Sequence, residues 1–266
     1  MSDQLHLLIS DGLATITIDR PERMNAFLPE MISEMASMAS SIANDDSCRV
    51  VAIRHVGKHL CTGGDIGDIA EVSLQMPAER EQSFYENLAA EVQPLLRAFL
   101  ALPQPIVIGA RGHTIGLGVQ FLLFADLVVA SDTLQITLPQ VKLGHVFDHG
   151  ESFLLPRQIG QRKAMELALL GERMNAVDAE RFGLINFLVP DAELDARTDD
   201  VVNRLLHLPP VALLRSKALM RSSQNADLET QLEAERLHAS KCAATEDFVE
   251  AMAAFQQKRK PVFTGC

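Results

Sequence analysis

The sequence has no long basic run, and its charge excludes several classes of partner. The longest basic block is KRK at 258–260, and 35 acidic against 24 basic side chains give a net charge of −11. Such a chain is repelled by phosphate backbones and by anionic lipid surfaces. We therefore expect neither nucleic acid nor membrane as a partner, although a local basic spot could still bind an anionic ligand.

The sequence also lacks a cysteine framework, a membrane span and a targeting peptide. Its four cysteines, at positions 48, 61, 242 and 266, have no paired or metal-like spacing, so we predict free thiols in a reducing compartment. No apolar run approaches the ~18 residues that a membrane span needs, and the first residues are too few and too acidic for a targeting peptide. These absences predict a cytoplasmic protein.

What the sequence contains is the pattern of a packed α/β domain. Hydrophobic residues are 47% and charged residues 22% of 266, which suits a large core. Strand-like stretches at 13–19, 49–57 and 105–118 each precede a helix-like stretch, the last of them at 119–131. Nearly continuous apolar strands are typical of a sheet covered by helices on both faces. We predict an α/β core over residues 1–200 and a helical C-terminal region over residues 201–266.

Two glycine-rich junctions precede predicted helices. One is GGD at 63–65, where Asp65 is a plausible N-cap, and the other is GLG at 116–118. The first amides of a helix lack intrahelical partners, and glycines let a ligand oxygen approach them. Two such helix starts facing each other would form an oxyanion hole, whereas each junction alone is ordinary turn chemistry. Neither has the spacing of a phosphate loop or of a dinucleotide-binding fingerprint.

Five sequence blocks, taken together and in order, resemble the enoyl-CoA hydratase/isomerase (crotonase) superfamily over nearly the whole chain. They are TITIDRPERMNAF, HLCTGGDI, PIVIGARGHTIGLGVQFLLFADLVVAS, VKLGHVFDHGESFLLPRQIG and AAFQQKRKPVFTG. The resemblance implies a crotonase-like spiral of ββα units and a homotrimer or dimer of trimers, with the C-terminal helices as the trimerisation region. It also implies an acyl-CoA thioester substrate and no cofactor beyond the coenzyme A that this substrate carries.

The resemblance assigns residues to the thioester. The carbonyl oxygen would lie between the amides of Gly64 and Leu117, and Leu117 replaces the glycine usual in the family. Only its backbone is needed, so the leucine is acceptable. Losing one such donor to an enolate oxygen typically costs roughly 3 kcal/mol. The resemblance places the coenzyme A moiety against Arg23, Met24, Thr62, Gly63, Asp65, Ile66, Lys260 and Phe263. Lys258 and Arg259 of the same tail are instead expected to be a solvated, frayed end.

Hydratases of the family use two glutamates, and this sequence has amides at both positions. The corresponding residues are Gln120 and Gln140. A carboxamide has no pKa near neutrality and cannot deliver or accept a proton as a carboxylate does. The amides could hold a water or a substrate oxygen, or they could simply satisfy the pocket wall. Addition of water to a double bond is therefore disfavoured.

The turn HVFDHGE at 145–151 is crowded with titratable residues. Asp148 falls where family isomerases that act on ring epoxides and enoyl groups have the aspartate of a PDSGG turn. One carboxylate suffices to take a proton from one carbon and return it to another. We expect neighbours such as Val146 and Phe147 to raise the pKa of Asp148 by desolvation. The alternative is that Asp148 only caps the helix beginning near Glu151.

The histidines of this turn are further candidates. His149 could be an auxiliary acid or base, because imidazole titrates near neutrality, or it could be a surface residue. His145 and His149 are four apart, but a turn rarely keeps helical spacing and no third ligand is evident, so we predict no metal site. Glu151 is interpreted as a first-turn acid that is favourable for the helix dipole.

These residues predict an enoyl-CoA isomerase, of the double-bond or ring type, with Asp148 as its base. If His149 acts with Asp148, a hydrolase, a lyase or a decarboxylase of the same fold becomes the alternative. A non-catalytic protein that binds CoA thioesters is the third hypothesis.

We predict that the protein hydrates crotonyl-CoA very slowly. Each missing proton-transfer partner typically costs about 10²- to 10⁴-fold in rate, and amides occupy both positions. The fall in absorbance of the enoyl thioester measures the rate, with a glutamate-containing family member as the control. Turnover at the control's rate would mean that other groups do this work.

Overall fold

The computed structural model describes the backbone of residues 3–265 and the side chains of all but six of them, namely Ile66, Asp68, Ile69, Val72, Leu88 and Ala89. The strands are β1 (Leu5–Ser10), β2 (Leu13–Ile18), β3 (Val50–His55), β4 (Ile106–Ala110), β5 (His113–Ile115), β6 (Leu127–Ser131), β7 (Gln135–Thr137), β8 (Arg173–Asn175) and β9 (Phe187–Val189). The helices are α1 (Pro29–Ala43), α2 (Ile66–Ser73), α3 (Pro77–Asn87), α4 (Gln93–Ala101), α5 (Leu117–Phe124), α6 (Glu151–Ile159), α7 (Gln161–Leu170), α8 (Ala176–Arg181), α9 (Leu194–Leu206), α10 (Pro210–Ser222), α11 (Leu228–Ala243) and α12 (Glu246–Gln257).

A mostly parallel sheet organises the fold. Its strand order is β1-β2-β3-β4-β6-β9, in which the first pair is antiparallel and the others are parallel. A second sheet contains β5, β7 and β8. Parallel neighbours require crossover connections, which the intervening helices provide. The predicted α/β fold is confirmed.

The central strands are buried on both faces. In β3, Val51 and Ile53 belong to the larger hydrophobic core, whereas Val50 and Ala52 belong to a smaller cluster that α9 completes. Successive side chains of a strand point to opposite faces, so a strand between two covered faces is apolar throughout. Helix α9 runs across position 200, near which the sequence indicates a boundary, and packs on the sheet.

The predicted helix over 119–131 is wrong in its second half. Helix α5 ends at Phe124, and β6 begins at Leu127 and joins the large sheet. Between them, Asp126 accepts a hydrogen bond from the Ile106 backbone N of β4 (2.8 Å). Buried helices and buried parallel strands have similar apolar composition, so the apolar run alone does not reveal this change.

The cysteines match their predicted state where the structure describes them. Cys48 and Cys61 are buried, and both, like Cys242, are free thiols. Burial raises the pKa of Cys61 to about 12, so this thiol stays protonated and unreactive. Cys266 lies outside the described residues. Between residues 3 and 265, no helix combines the length and the apolar character that crossing a membrane requires.

Helices α10 and α11 contribute little to the core of the chain. None of their residues is buried, and Met220 and Leu228 are 73% and 69% exposed. Polar contacts join α10 to the core. Lys217 Nζ and Arg221 Nη2 lie 2.6 and 2.7 Å from the two carboxylate oxygens of Asp126, and they also donate to the backbone carbonyl oxygens of Gln104 and Phe124. Asp126 thus anchors the helical region where α5 ends and β6 begins.

We predict that Asp126→Ala lowers the free energy of unfolding by about 3 kcal/mol, because it leaves the nearly buried Lys217 ammonium without its carboxylate. The control is Asp199→Ala, which removes a half-exposed partner of Arg54 and is expected to cost less than about 1 kcal/mol. Urea denaturation at a fixed protein concentration measures both variants. Equal losses in the two would contradict the anchoring role of Asp126.

Candidate active site

The two glycine-rich junctions lie directly against each other. Ile115 N donates to the Cys61 carbonyl oxygen (2.9 Å), and Cys61 and Thr114 form a parallel bridge. A Cβ on Gly118 would lie 2.3 Å from that Cys61 oxygen, so a side chain at this position would force the two segments apart. Glycine is required here because the two backbones are in contact.

Within the part of the chain that the structure describes, neither of the two backbone amides predicted as oxyanion donors has a hydrogen-bond acceptor. Leu117 is the first residue of α5, where a backbone N–H has no intrahelical acceptor. In the bridge between Phe27 and Gly64, the hydrogen bonds are made by Gly63 O and Asp65 N. Among the residues described, no group accepts a hydrogen bond from Gly64 N or Leu117 N. An ideal Cβ on Gly63 would be 4.0 Å from Leu117 N, so the residue that precedes Gly64 lies beside the start of α5.

The segment after the first glycine pair is fixed by Asp65. Its carboxylate accepts from Gly67 N (2.9 Å), as expected for a residue that caps α2, and from Arg20 Nη1 (2.8 Å). Thr62 Oγ1 donates to the Met24 carbonyl oxygen (3.2 Å), which ties the two segments predicted to bind coenzyme A to each other. These contacts hold the proposed nucleotide side of the site in one arrangement.

Of the remaining predicted coenzyme A contacts, Arg23 and Lys260 are exposed and Phe263 is half-buried. The side chain of Ile66 lies outside the described part of the chain. Arg259 is exposed, as expected for a solvated end, but it is not frayed, because its Nη1 and Nη2 lie 2.5 and 2.6 Å from the two oxygens of Glu250. Thr264 N and Gly265 N donate to Asp247, so the tail is folded back onto α12.

A cavity of about 260 Å³ lies between α4 and the turn 145–151, and it is lined by Val92, Gln93, Leu96, Arg97, Gln120, Asp148, His149 and Gly150. Gln120 is on α5, about one helical turn beyond the Leu117 amide. The two polar residues of α4, Gln93 and Arg97, were not singled out by the sequence. They lie about 50 residues away from the turn in the sequence, so no local sequence pattern predicts that they line the same cavity.

Asp148 lies between two histidines. His145 Nε2 is 3.1 Å from Asp148 Oδ2, and His149 Nδ1 is 2.8 Å from Asp148 Oδ1. Helix α6 begins at Glu151, and its N-cap residue is Gly150, which makes no side-chain capping bond. The alternative that Asp148 merely caps this helix is therefore wrong.

The prediction that apolar neighbours raise the pKa of Asp148 is also wrong. Burial does favour a higher pKa, but the contacts with His149 and His145 outweigh burial and hold the pKa of Asp148 below its usual value. Val146 is 73% exposed, and Phe147 packs against the core. Asp148 is therefore a carboxylate at neutral pH.

Glu151 is a buried partner of His149 rather than only a first-turn acid. It is 0% exposed, it accepts from His149 N (2.8 Å), and its Oε1 lies 3.4 Å from His149 Nδ1. Burial lowers the pKa of His149, but the contacts with Asp148 and Glu151 outweigh burial and raise this pKa to about 9. His149 is thus an imidazolium between two carboxylates at neutral pH.

The same three residues have the spacing of a metal site. Donor atoms of Asp148, His149 and Glu151 lie within 4.8 Å of one another, so they could hold a divalent cation. Glu151 is the third group that the sequence did not reveal. One imidazolium between two carboxylates accounts for this spacing without an ion, and the absence of a metal stays a prediction.

The side-chain amides of Gln120 and Gln140 support the turn 145–151. Gln120 Nε2 donates to the His149 carbonyl oxygen (3.0 Å), and Gln140 Nε2 donates to Glu151 Oε1 (3.2 Å). Their own carbonyl oxygens are buried and accept no hydrogen bond from a described residue. A glutamate at position 140 would face the Glu151 carboxylate, so this turn requires an amide there.

Comparisons with known proteins all match this chain to enoyl-CoA hydratases and isomerases. A profile of the enoyl-CoA hydratase/isomerase family matches residues 9–266. The 1,2-epoxyphenylacetyl-CoA isomerase of Escherichia coli (strain K12) is 32% identical over 257 residues, covering 97% of both chains. The 2,3-dehydroadipyl-CoA hydratase of the same strain is 28% identical over 94% of both. The crystal structure of an enoyl-CoA hydratase/isomerase from Marinobacter aquaeolei superposes with a TM-score of 0.88 at 27% identity, covering 98% of both chains.

We predict that the protein loses stability as the pH rises from neutral to alkaline. The folded pKa of His149 is raised from 6.5 to about 9, so its contribution is fully present below pH 6.5 and is lost as the pH rises through about 9. The contribution is on the order of 3 kcal/mol. Urea denaturation between about pH 6 and about pH 10 should show this loss in the native protein and not in His149→Gln. A difference between the two proteins that does not change with pH would contradict the prediction.

Proposed function

The chain belongs to the enoyl-CoA hydratase/isomerase family, and from this premise we propose that it is an acyl-CoA isomerase whose base is Asp148. The observation that carries the proposal is the distribution of carboxylates. Asp148 lies on the cavity wall, whereas Gln120 and Gln140 occupy the positions that resemble the hydratase glutamates. A single carboxylate is enough to move a proton between two carbons of one substrate.

The proposed reaction begins with the thioester carbonyl oxygen between the amides of Gly64 and Leu117. Asp148 takes a proton from a carbon of the acyl chain, and the electron pair of the broken C–H bond passes into an enolate. The two N–H donors stabilise the negative charge that collects on the thioester oxygen. Asp148 then returns the proton to a different carbon, which moves the double bond. The relative with an epoxide substrate supports extending the proposal to collapse of a strained ring.

The charge of His149 favours isomerisation over hydrolysis. A histidine that activates water must be neutral in order to accept a proton. His149, with a pKa raised to about 9 by the two carboxylates, is protonated at neutral pH. It is therefore suited to tune Asp148 and not to act as a base for water.

We also propose that the protein is a homotrimer or a dimer of trimers that needs no cofactor beyond the coenzyme A of its substrate. The exposed apolar residues of α10 and α11 support assembly through these helices, since such surface is usually covered in a stable protein. Isomerisation by proton transfer leaves the oxidation state of the substrate unchanged, so it requires no electron carrier.

We predict that Asp148→Asn lowers isomerase turnover by about 10²- to 10⁴-fold, because it preserves size and removes the base. The assay is turnover of a panel of 3-enoyl-, 2-enoyl- and 3-oxoacyl-CoA thioesters. Calorimetry with acetoacetyl-CoA, a mimic of the enolate, should show unchanged affinity, since the backbone donors are intact.

Asp199→Asn is the matched control for this experiment, since Asp199 is a half-exposed surface carboxylate. It should leave turnover and binding unchanged. If Asp148→Asn retains full turnover, Asp148 is not the base. If the native protein binds acetoacetyl-CoA and turns over no member of the panel, the protein binds thioesters without being an isomerase.

A further inference from the structure

Glu151 has more contacts than the start of a helix requires. It is fully buried, and its carboxylate accepts hydrogen bonds from His149 N (2.8 Å) and from Gln140 Nε2 (3.2 Å). The same Oε1 that faces Gln140 lies 3.4 Å from His149 Nδ1. A buried carboxylate is retained only where its charge is compensated, and here the imidazolium of His149 compensates it.

The ring nitrogen of His149 has two carboxylates within reach. Asp148 Oδ1 is 2.8 Å away and Glu151 Oε1 is 3.4 Å away. Neither contact has the alignment of a straight hydrogen bond, and among the described atoms Nδ1 has no other acceptor. The Nδ1–H therefore lies between two acceptors and is committed to neither.

Building on the proposed function, we propose that Glu151 is a positioning residue that keeps His149 charged beside Asp148 and accepts the hydrogen bond of the His149 Nδ1–H when Asp148 takes up the substrate proton. In that step the substrate C–H bond breaks, its electron pair enters the enolate, and an O–H bond forms on Asp148. His149 keeps its own proton throughout. Neutral Asp148 no longer attracts the imidazolium, and Glu151 is the remaining carboxylate in contact with it.

The other groups around His149 do not replace Glu151. Gln120 is neutral and donates to the His149 carbonyl oxygen, and His145 contacts the far oxygen of Asp148. Arg97 of α4 lines the same cavity and carries a positive charge, which opposes protonation of His149. The raised pKa of His149, which Asp148 and Glu151 support against burial, agrees with this arrangement.

This role makes Asp148 a better base than a closed ion pair with His149 would. If His149 had Asp148 as its one partner, the proton taken from the substrate would displace the imidazolium into an uncompensated, buried position. With Glu151 present, a small turn of the ring exchanges one carboxylate for another of equal charge. The charge of His149 is compensated before and after the transfer.

The test uses Glu151→Gln, which keeps the shape of the side chain and its acceptor for His149 N while removing the charge. Nitrogen and proton NMR of the His149 ring, in the full-length protein, reports its titration independently of turnover. We expect the pKa of His149 to fall by about one unit or more. We expect kcat of the isomerisation to fall about tenfold, the size of effect that one charged hydrogen bond typically has, with little change in KM.

Two further variants separate this role from a merely structural one. Glu151→Asp keeps the charge and should restore most of the His149 titration and of the pH profile of kcat. Glu166→Gln, which removes a surface carboxylate paired with Lys163, should change neither. A folded Glu151→Gln protein in which His149 titrates as in the native protein would overturn the proposal, as would equal loss of kcat in Glu151→Asp and Glu151→Gln.

Dialysis of the native protein against EDTA tests whether Asp148, His149 and Glu151 hold a metal ion instead. Loss of turnover on dialysis against EDTA, with recovery on adding zinc, would mean that the three residues hold an ion, and the role of Glu151 given above would fall. If no acyl-CoA is isomerised by the native protein, the proposed function fails. The NMR titration still decides whether Glu151 keeps His149 charged.

Discussion

The close contact between the Cys61 carbonyl oxygen and the start of α5 positions the rest of the site. It requires glycine at position 118, it brings Gly63 beside the Leu117 backbone N, and it directs α5 toward the turn that carries Asp148. Because the contact is made by backbone atoms, it tolerates the leucine that stands at position 117. Cys61 and Leu117 both belong to the large hydrophobic core. The relative position of the segments that carry them therefore depends on the packing of that core.

The turn 145–151 combines stability with chemistry. Two carboxylates and one imidazolium are buried together, which is acceptable only while each charge faces an opposite one. That requirement holds Asp148 ionised and His149 protonated in the resting protein. The residues that set the charge of Asp148, the proposed base, are thus the same residues that hold the turn, and the neutral side-chain amides of Gln120 and Gln140 complete its support.

Much of the fold and the backbone part of the site could be predicted from the sequence, because periodicity and glycine positions report local geometry. The α/β fold and the two glycine-rich helix starts at 63–65 and 116–118 are examples, whereas the expectation that these junctions face each other came from the family resemblance. The strand at 127–131 was missed, since buried strands and buried helices share one composition. The role of Glu151 and the lowered pKa of Asp148 were missed for another reason. Both depend on distances between side chains, which a turn sequence does not specify.

The proposed use of the backbone amides of Gly64 and Leu117 limits which amino-acid substitutions can affect this part of the site during evolution. A codon change can alter a side chain, but among the standard amino acids only proline removes a backbone N–H. The proposed stabilisation of an enolate by these two amides is therefore largely insulated from substitution at the two positions themselves. The side chains at 120, 140, 148 and 151 have no such insulation, so substitutions there can change the reaction while the proposed anion site is retained.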